Sequence, residues 1–208
     1  MYLLKLLLVA VIAYLCGSLN FGVIVSRVFL GFDLRTKGSG NAGATNAYRV
    51  MGPKLAVLVM IGDILKGVIA ILIGNRLCGD DGRLVAMVLT VIGHIFPLYF
   101  GFKGGKGILT AAAMIAVFDW RIFVVIFAAF VIVVSLTRYV SAGSIIGAAL
   151  FPVMTLILYW GRFHFFAVAF CLAATVIYMH RSNIKRLLSG TESKFTFKRP
   201  NAKREDKQ

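Results

Sequence analysis

Acidic residues and cysteines are scarce in this sequence. Its 208 residues include eight Asp and Glu and three Cys. The acids do not form the paired sets that hold a divalent metal, so metal-dependent transfer from a nucleotide-activated lipid is not indicated. Cys16, Cys78 and Cys171 show neither metal-ligand spacing nor an obvious disulfide pairing. We therefore expect a protein without a metal ion or other cofactor.

Charged residues make up only 15% of the chain, whereas 60% of it is hydrophobic and the mean hydropathy is +0.88. This balance lies far outside the range of soluble proteins and predicts an integral membrane protein. Apolar and polar residues do not alternate within the apolar runs, so helices are expected and strands are not. The seven runs are Leu3–Val25, Leu55–Ile73, Leu84–Phe100, Ile108–Phe118, Ile122–Leu136, Ile145–Trp160 and Phe163–Met179.

The predicted fold is an all-α, seven-helix transmembrane bundle. Several runs are shorter than the ~20 residues that cross a ~30 Å hydrocarbon core, and Ile108–Phe118 is the shortest. We expect short or partly re-entrant helices around glycine-rich loops, an arrangement that often marks a binding site. The run Leu3–Val25 is too long for the apolar region of a signal peptide and lacks a cleavage site, so it is expected to remain as a helix.

Basic residues are concentrated on one side of the predicted bundle. Seventeen of the 23 Lys and Arg residues fall in segments 27–54, 101–107, 137–144 and 181–208. By the positive-inside rule this side is cytoplasmic, with the N-terminus outside and the C-terminus inside. Attraction to anionic lipid explains the net charge of +15 without a nucleic-acid partner. We assign residues 1–193 to the membrane domain and residues 194–208 to a flexible, basic cytoplasmic tail.

Four clusters rich in glycine and small polar residues fall on that same side: KGSGNAGATNAYR, GFKGGKG, RYVSAGS and HRSNIKRLLSG. The first fits the G-x-G-x-x-G dinucleotide pattern, which carries meaning only inside a βαβ unit. Gly38, Gly40 and Gly43 allow positive φ and close backbone approach, which favours a concave anion site. The side chains that would add donors are Ser39, Thr45, Asn46 and Arg49. The alternative is a turn-rich loop that caps the next helix.

The second cluster also has the character of an anion site. In FKGGKG, Lys103 and Lys106 surround Gly104 and Gly105 between the end of one helix and the start of another. Amide hydrogens and the helix dipole favour an anion at such a place. The glycine spacing differs from a Walker A loop, and Gly107 stands where Ser or Thr is needed. The cluster therefore predicts a site for a small phosphate, not for a nucleoside triphosphate.

A few ionisable residues lie in or beside the apolar runs, where function and packing are competing interpretations. His94 lies toward the cytoplasmic end near the lysines, and His180 lies at the cytoplasmic edge. His164, on the outer side, is expected to be structural. Asp63 and Lys66 are three residues apart on one helix, so we expect them to neutralise each other.

The residue types present favour one kind of substrate. No histidine begins an HxxxxD motif, so the base of the thioester-using glycerolipid acyltransferases is missing. A site with many cations and few bases suits a substrate that is already activated and strongly anionic. An acyl phosphate is such a substrate, with its acyl chain among the helices and its phosphate at the glycine loops.

Five segments, GSGNAGATNAYR, DILKG, GHIFPLYFGFKGGKG, RYVSAGSI and HRSNIKRLLSGTES, closely resemble the motifs of the bacterial acyl-phosphate:glycerol-3-phosphate acyltransferase (PlsY) family. The resemblance covers residues 17–192, with KGILTA where the family commonly has KGVATA. It implies an inner-membrane enzyme with a cytoplasmic active site, which transfers an acyl group from acyl phosphate to the 1-hydroxyl of sn-glycerol 3-phosphate at the first step of phospholipid synthesis. The products would be 1-acyl-glycerol 3-phosphate and inorganic phosphate. The motif positions are Ser39, Asn41, Thr45, Asn46, Arg49, His94, Lys103, Lys106, Ser141, Ser144, His180 and Asn183.

Charge and hydrogen-bonding capacity suggest how these positions divide the two substrates. Ser39, the loop amides and Lys106 would hold the acyl-phosphate headgroup, and Lys106 would stabilise the departing phosphate. Arg49 and Lys103 would hold the phosphate of glycerol 3-phosphate. His180 would orient the attacking hydroxyl together with Asn183.

The general base stays open at this point, since His94, His180 or an oxygen of the substrate's own phosphate would serve. A monomer is expected, with possible coupling to the enzyme that forms the acyl phosphate. The main alternative is a transporter for a phosphorylated solute, which would need polar groups through to the outer face. A lipid phosphatase would need a nucleophilic histidine pair with arginines, which is not visible.

Overall fold

The computed structural model describes residues 1–196, which form eight α-helices and no strand. The prediction of an all-α protein is confirmed. Each of the seven predicted runs is largely helical, although the helix boundaries differ. The helices are α1 (Tyr2–Ser18), α2 (Phe21–Leu30), α3 (Ala44–Ile95), α4 (Ile108–Phe118), α5 (Trp120–Thr137), α6 (Val140–Leu158), α7 (Phe163–Met179) and α8 (Arg181–Leu188).

Four helical stretches of the described chain are long and apolar enough to cross a bilayer: Tyr2–Leu30, Ala44–Phe100, Trp120–Thr137 and Val140–Leu158. A fifth results if α7 and α8, which are bent by 58° relative to each other, are counted together. The number of crossings and the orientation of the bundle stay predictions.

The first apolar run is two helices, not the single helix that we expected. The chain leaves helical geometry at Leu19, and Asn20 caps α2 by accepting a hydrogen bond from the Val23 amide. A short polar side chain that competes for backbone donors favours such a break even inside an apolar segment. Asn20 is fully buried, so the break lies inside the bundle.

Helix α3 is also interrupted. Gly52 has φ 80°, and at the pair Cys78–Gly79 the φ of Gly79 is 58°, a left-handed conformation that a residue with a Cβ rarely adopts. These breaks divide α3 into segments 44–51, 53–77 and 80–95.

The two long segments of α3 pack against each other as an antiparallel hairpin. Gly74 and Gly82 face each other at its closed end, where a Cβ on Gly82 would lie 2.0 Å from the Gly74 carbonyl oxygen. The same close approach occurs between α1 and α3, where a Cβ on Gly17 would lie 2.2 Å from the Thr90 carbonyl oxygen. Small residues at helix contacts let backbones approach closely when no water drives association.

The remaining helices complete the core. Buried side chains of α3, α4, α6 and α7 form its largest cluster, which includes Met87, Met114, Phe151 and Phe165. After α8, residues 191–196 return across the bundle, and the Phe195 amide donates to the Arg138 carbonyl. The predicted tail lies outside the described residues from position 197 onwards.

Candidate active site

The first glycine-rich loop is held together by one buried side chain. The amide nitrogen of Asn46 donates to the carbonyls of Lys37 and Asn41, at 3.1 and 2.8 Å, and its oxygen accepts from the Ser39 amide at 2.9 Å. Asn46 is only 2% exposed. Its polar atoms are therefore occupied by the loop, and the prediction that it donates to a phosphate is replaced by a role in shaping the loop.

The glycines of this loop have different roles from one another. Gly38 and Gly40 have positive φ, at 59° and 73°, as predicted. The prediction was wrong for Gly43, whose φ is −89° and which is the N-cap of α3, with its amide donating to Asn41 Oδ1. Positive φ in this loop is thus confined to Gly38 and Gly40, on either side of the exposed Ser39 side chain. The Ser39 and Gly40 amides donate to Asn46 Oδ1 and to the Lys37 carbonyl, so the prediction of an anion nest of loop amides is not supported. Thr45 lies in the first turn of α3.

Arg35 joins the first glycine loop to the second. Its guanidinium donates to the carbonyls of Phe100 and Lys103, both at 2.6 Å. The Asp33 carboxylate accepts from Nε and Nη2 on the other side of the same group, at 2.9 and 2.8 Å. These hydrogen bonds also lower the pKa of Asp33, although its partial burial opposes the shift. Arg35 therefore sets the distance between the two loops, a role that was not predicted.

The backbone of the second loop pairs with the end of α3 and does not present amides to an anion. The Gly104 and Gly105 amides donate to the carbonyls of Ile95 and His94, at 3.0 and 3.2 Å. A Cβ on Gly104 would lie 1.9 Å from the His94 carbonyl oxygen. Close packing explains these glycines, so the prediction that they bind phosphate directly is not supported. The side chain of Lys103 is exposed, and its carbonyl accepts from Arg35.

Lys106 points from this loop into a polar cluster. Its ammonium donates to Asn183 Oδ1 on α8. The amide of Asn183 donates in turn to Glu192 Oε1 at 2.7 Å, and Ser141 Oγ donates to the same oxygen at 2.7 Å. Three of the predicted clusters therefore meet here, and their side chains are linked through Glu192.

Glu192 was not among the predicted site residues. Its second carboxylate oxygen accepts from Arg186 Nε at 2.7 Å, and its side chain is 7% exposed. Burial raises the pKa of this carboxyl, but the hydrogen bonds from Ser141, Asn183 and Arg186 outweigh it and the net pKa is lowered. The signal available in the sequence was that Glu192 is the only acid of segment 181–196. We call Lys106, Arg49, Arg186 and Glu192 the charged cluster.

Lys106 has an unusual environment for a lysine. Burial lowers its pKa to about 8, and the positive charges of Arg186 and Arg49 act in the same direction, against the Glu192 carboxylate. Arg49 lies at the edge of the charged cluster, where its guanidinium donates to the Ser193 carbonyl at 3.4 Å. An anion that entered here would stabilise the charged form of Lys106.

His180 lies beside the charged cluster at the bend between α7 and α8, and it is 3% exposed. Its Nδ1 lies 2.8 Å from the Val176 carbonyl oxygen. Because a carbonyl can only accept, Nδ1 carries the proton and Nε2 keeps its lone pair. Burial lowers the pKa of His180 to about 4, with the charge of Lys106 acting in the same direction. His180 is thus neutral at pH 7, with an acceptor at Nε2.

His94 has a different environment, because its Nδ1 lies 2.8 Å from Lys66 Nζ inside the bundle. Lys66 also forms an ion pair with Asp63 at 2.7 Å, so the predicted neutralisation of these two charges is confirmed. On the ring's other side a Cβ on Gly105 would lie 2.3 Å from Nε2. His94 therefore connects a buried ion pair to the second glycine loop.

A large apolar cavity opens next to the charged cluster. It has a volume of about 560 Å³ and lies between α3, α4, α5, α6 and α7. Its lining includes Ile108, two residues after Lys106, and Val176, whose carbonyl accepts from His180. Ser144 also lines the cavity, but its hydroxyl donates to the Val140 carbonyl of its own helix. The site thus combines a cationic end with a deep apolar chamber.

Residues 1–196 contain no group of three or more His, Cys, Asp and Glu side chains arranged to hold a metal ion.

Comparisons with known proteins agree on one family. The family model described as glycerol-3-phosphate acyltransferase matches residues 7–190. A glycerol-3-phosphate acyltransferase of Thermoanaerobacter sp. (strain X514) is 45% identical over 187 residues, which cover 90% of this chain and 94% of the relative. The corresponding protein of Clostridioides difficile (strain 630) is 41% identical over 194 residues, covering 90% and 94%.

Two solved structures are also similar. Both are crystal structures of PlsY (YgiH), an integral membrane glycerol 3-phosphate acyltransferase. The glycerol 3-phosphate form has a TM-score of 0.86 at 37% identity and covers 92% of this chain and 96% of its own. The lysophosphatidic acid form has a TM-score of 0.81 at 36% identity, covering 92% and 95%. The chain therefore belongs to the glycerol-3-phosphate acyltransferase family and is an integral membrane acyltransferase of the PlsY type.

Proposed function

We propose that this enzyme uses acyl phosphate as its donor and transfers the acyl group to the 1-hydroxyl of sn-glycerol 3-phosphate. The observation that carries this proposal is the proximity of the charged cluster to the apolar cavity, whose lining includes Ile108, two residues after Lys106. An acyl phosphate has the same two parts, a dianionic head and an apolar chain. The solved relatives in glycerol 3-phosphate and lysophosphatidic acid forms support the acceptor and the product.

In the proposed reaction the 1-hydroxyl oxygen attacks the acyl carbon, and the bond from that carbon to the phosphate oxygen breaks. Inorganic phosphate leaves with the bonding electron pair, and the hydroxyl proton passes to a base. Lys106 neutralises the charge that develops on the departing phosphate, together with the hydroxyl of Ser39. The leaving group is already activated, so positioning and charge compensation do most of the work.

Glycerol 3-phosphate would be bound at the other edge of the cluster. Arg49 and Lys103 supply cations there, and Asn183 and Ser141 orient the glycerol hydroxyls if substrate displaces part of the network around Glu192. The hydrogen bond from Nδ1 of His180 leaves Nε2 as an acceptor, so His180, His94 and the substrate phosphate are the candidate bases. With this division both phosphates would lie on the side of the inner membrane that we predict to be cytoplasmic.

Donor specificity is the direct test of the proposal. The detergent-purified protein would be given labelled glycerol 3-phosphate with palmitoyl phosphate, with palmitoyl thioester, or with neither, in the absence of added metal. We expect labelled lysophosphatidate only with palmitoyl phosphate. Transfer from the thioester alone would refute the donor while leaving the family intact.

The two phosphate positions can be separated by single substitutions. We expect Arg49→Ala to raise the KM for glycerol 3-phosphate, and Lys106→Met to lower kcat and to raise the KM for palmitoyl phosphate. If both variants raised the KM for palmitoyl phosphate alone, the assignment of Arg49 would be wrong. Lys54→Ala, which removes a cation elsewhere in the same segment of the chain, is the control.

A further inference from the structure

The buried contacts of Lys66 determine which nitrogen of His94 carries the proton. Lys66 Nζ lies 2.8 Å from the Leu19 carbonyl oxygen, 2.8 Å from His94 Nδ1 and 2.7 Å from Asp63 Oδ1. An ammonium group has three N–H donors and no acceptor. Because the ammonium cannot accept, His94 Nδ1 must be the acceptor in this arrangement.

The opposite assignment, a charged His94 paired with Asp63, fits the distances poorly. His94 Nδ1 and Asp63 Oδ1 are 3.6 Å apart, which is too long for a hydrogen bond, whereas Lys66 contacts the same carboxylate oxygen directly. Asp63, Lys66 and His94 are 1%, 3% and 3% exposed. A buried ion pair with a neutral imidazole needs no further counter-charge. The remaining ring proton of His94 is therefore on Nε2.

His94 Nε2 is directed at the second glycine loop. The ring packs against Gly105, where any side chain would collide with it, since a Cβ there would lie 2.3 Å from Nε2. Gly105 immediately precedes Lys106. Among residues 1–196, Nε2 has no hydrogen-bond partner; the residue is 3% exposed, yet Nε2 is not one of the fully buried unpaired polar atoms. Nε2 therefore keeps some accessible surface, and an N–H donor without a protein partner at such a place is available to a ligand or an ordered water.

We propose that His94 acts in acyl transfer as a neutral hydrogen-bond donor through Nε2 to a phosphate oxygen held by Lys106, and that Lys66 is the positioning residue that imposes this tautomer. The proposal rests on the proposed function for the identity of that phosphate. It removes His94 from the candidate bases, because the lone pair of Nδ1 is already occupied by Lys66. The two histidines thus have opposite tautomers, a donor at Nε2 in His94 and an acceptor at Nε2 in His180.

Two substitutions of His94 distinguish a donor from a base. The side-chain amide of Gln reaches the position of Nε2, so His94→Gln keeps a donor and loses the basic nitrogen. We expect kcat/KM with palmitoyl phosphate to stay within about threefold of the wild type for His94→Gln and to fall about tenfold or more for His94→Ala. A general base would make both variants slow, by about 10²- to 10⁴-fold. Equal large losses with unchanged melting temperatures would therefore overturn the proposal.

A double-mutant cycle tests Lys66 separately from folding. Asp63→Asn with Lys66→Met removes both buried charges together, so neither is left unpaired. We expect this pair of changes to lower kcat/KM when His94 is present and to have little further effect when His94→Gln is present. Full additivity would show that Lys66 does not act through His94. Melting temperatures of all four proteins in detergent report on folding.

The tautomer itself can be measured without any substrate. Nitrogen-15 spectra of histidine-labelled protein in bilayers at pH 7 should show His94 with protonated Nε2 and unprotonated Nδ1, assigned by its loss in His94→Gln. His180 should show the reverse pattern. A protonated Nδ1 in His94 would overturn the inference. A failure of the acyl-phosphate assay would refute the proposed donor and leave this spectroscopic result standing.

Discussion

Among single residues, Lys106 leads to the most direct prediction about pH. Burial lowers its pKa to about 8. Lys106 carries a positive charge below that pH and becomes a neutral amine above it. Phosphate binding needs the charged form. We expect kcat/KM for palmitoyl phosphate to fall on the alkaline side with a midpoint near pH 8. In the enzyme–substrate complex the bound phosphate favours the charged form of Lys106. The alkaline fall in kcat should therefore occur at a higher pH than the fall in kcat/KM.

The variant Lys106→Arg tests whether this residue causes the alkaline loss. A guanidinium stays charged throughout the accessible pH range. The variant should therefore lack the loss of kcat/KM near pH 8, even if its absolute rate is lower. Lys103→Arg, at an exposed lysine of the same loop, should keep it. An identical alkaline profile in wild type and Lys106→Arg would show that another group titrates.

The types of the site residues were readable from the sequence, but several of their roles were not. Lys106, His180 and Asn183 belong to polar clusters that stand out in an apolar chain, so they were found. The use of Asn46 within its own loop depends on three-dimensional proximity to carbonyls at positions 37 and 41. Glu192 was missed because a lone acid among many cations is typical of a solvated charge, and its partners Ser141, Asn183 and Arg186 on α6 and α8 are known only from the structure.

At the scale of secondary-structure elements, the two glycine loops behave as one unit because Arg35 spans them. Removing it with Arg35→Ala breaks two hydrogen bonds to carbonyls of the second loop. We expect kcat/KM to fall by about 10- to 100-fold, because hydrogen bonds to a charged group are strong and small misplacements of catalytic groups are costly. Steady-state kinetics with both substrates would measure the effect.

Arg27 provides a matched control for Arg35. It pairs with the same Asp33 carboxylate, at 2.8 Å, but its side chain is 53% exposed. Exposed ion pairs contribute little, so Arg27→Ala should change kcat/KM by less than about threefold. If Arg27→Ala and Arg35→Ala lowered kcat/KM equally, the charge pairing with Asp33 would be what supports activity. The hydrogen bonds from Arg35 to the second loop would then not be responsible.

The α3 hairpin gives a prediction about stability alone. A methyl group at Gly82 would meet the Gly74 carbonyl, so Gly82→Ala must push the two arms apart. We expect a loss of about 1–3 kcal/mol in the free energy of unfolding, with unchanged kcat/KM for the folded fraction. Thermal unfolding in detergent would show it. Ala128→Val, which adds volume at an exposed position of α5, should leave the melting temperature unchanged.

Helices were predictable as elements because apolar runs in a membrane chain have few other choices. The breaks were harder to place. Asn20 ends α1 inside a run that is otherwise uniformly apolar, and its effect depends on a capping bond to Val23. The runs Leu55–Ile73 and Leu84–Phe100 were expected as separate helices, but the tightness of the turn between them follows from the left-handed conformation of Gly79.

For the molecule as a whole, the apolar cavity links the fold to the choice of acyl chain. Five helices line it, so no single element of the sequence could reveal it. The sequence indicated only that an acyl chain would lie among the helices. The cavity adds a finite volume of about 560 Å³ with one end beside the charged cluster. If the acyl chain occupies this cavity, filling part of it should shift the enzyme toward shorter donors.

Ala148 and Ala149 on α6 allow this to be tested with a matched pair. Ala148 lines the cavity, whereas its neighbour Ala149 is exposed on the outside of the bundle. We expect Ala148→Phe to lower the ratio of kcat/KM for palmitoyl phosphate to that for octanoyl phosphate. Each methylene denied burial costs about 0.8 kcal/mol, so excluding three lowers this ratio about 50-fold. Ala149→Phe should leave the ratio unchanged. A loss in Ala148→Phe that is equal for both donors would place the acyl chain elsewhere, for instance along the lipid-exposed surface of α5.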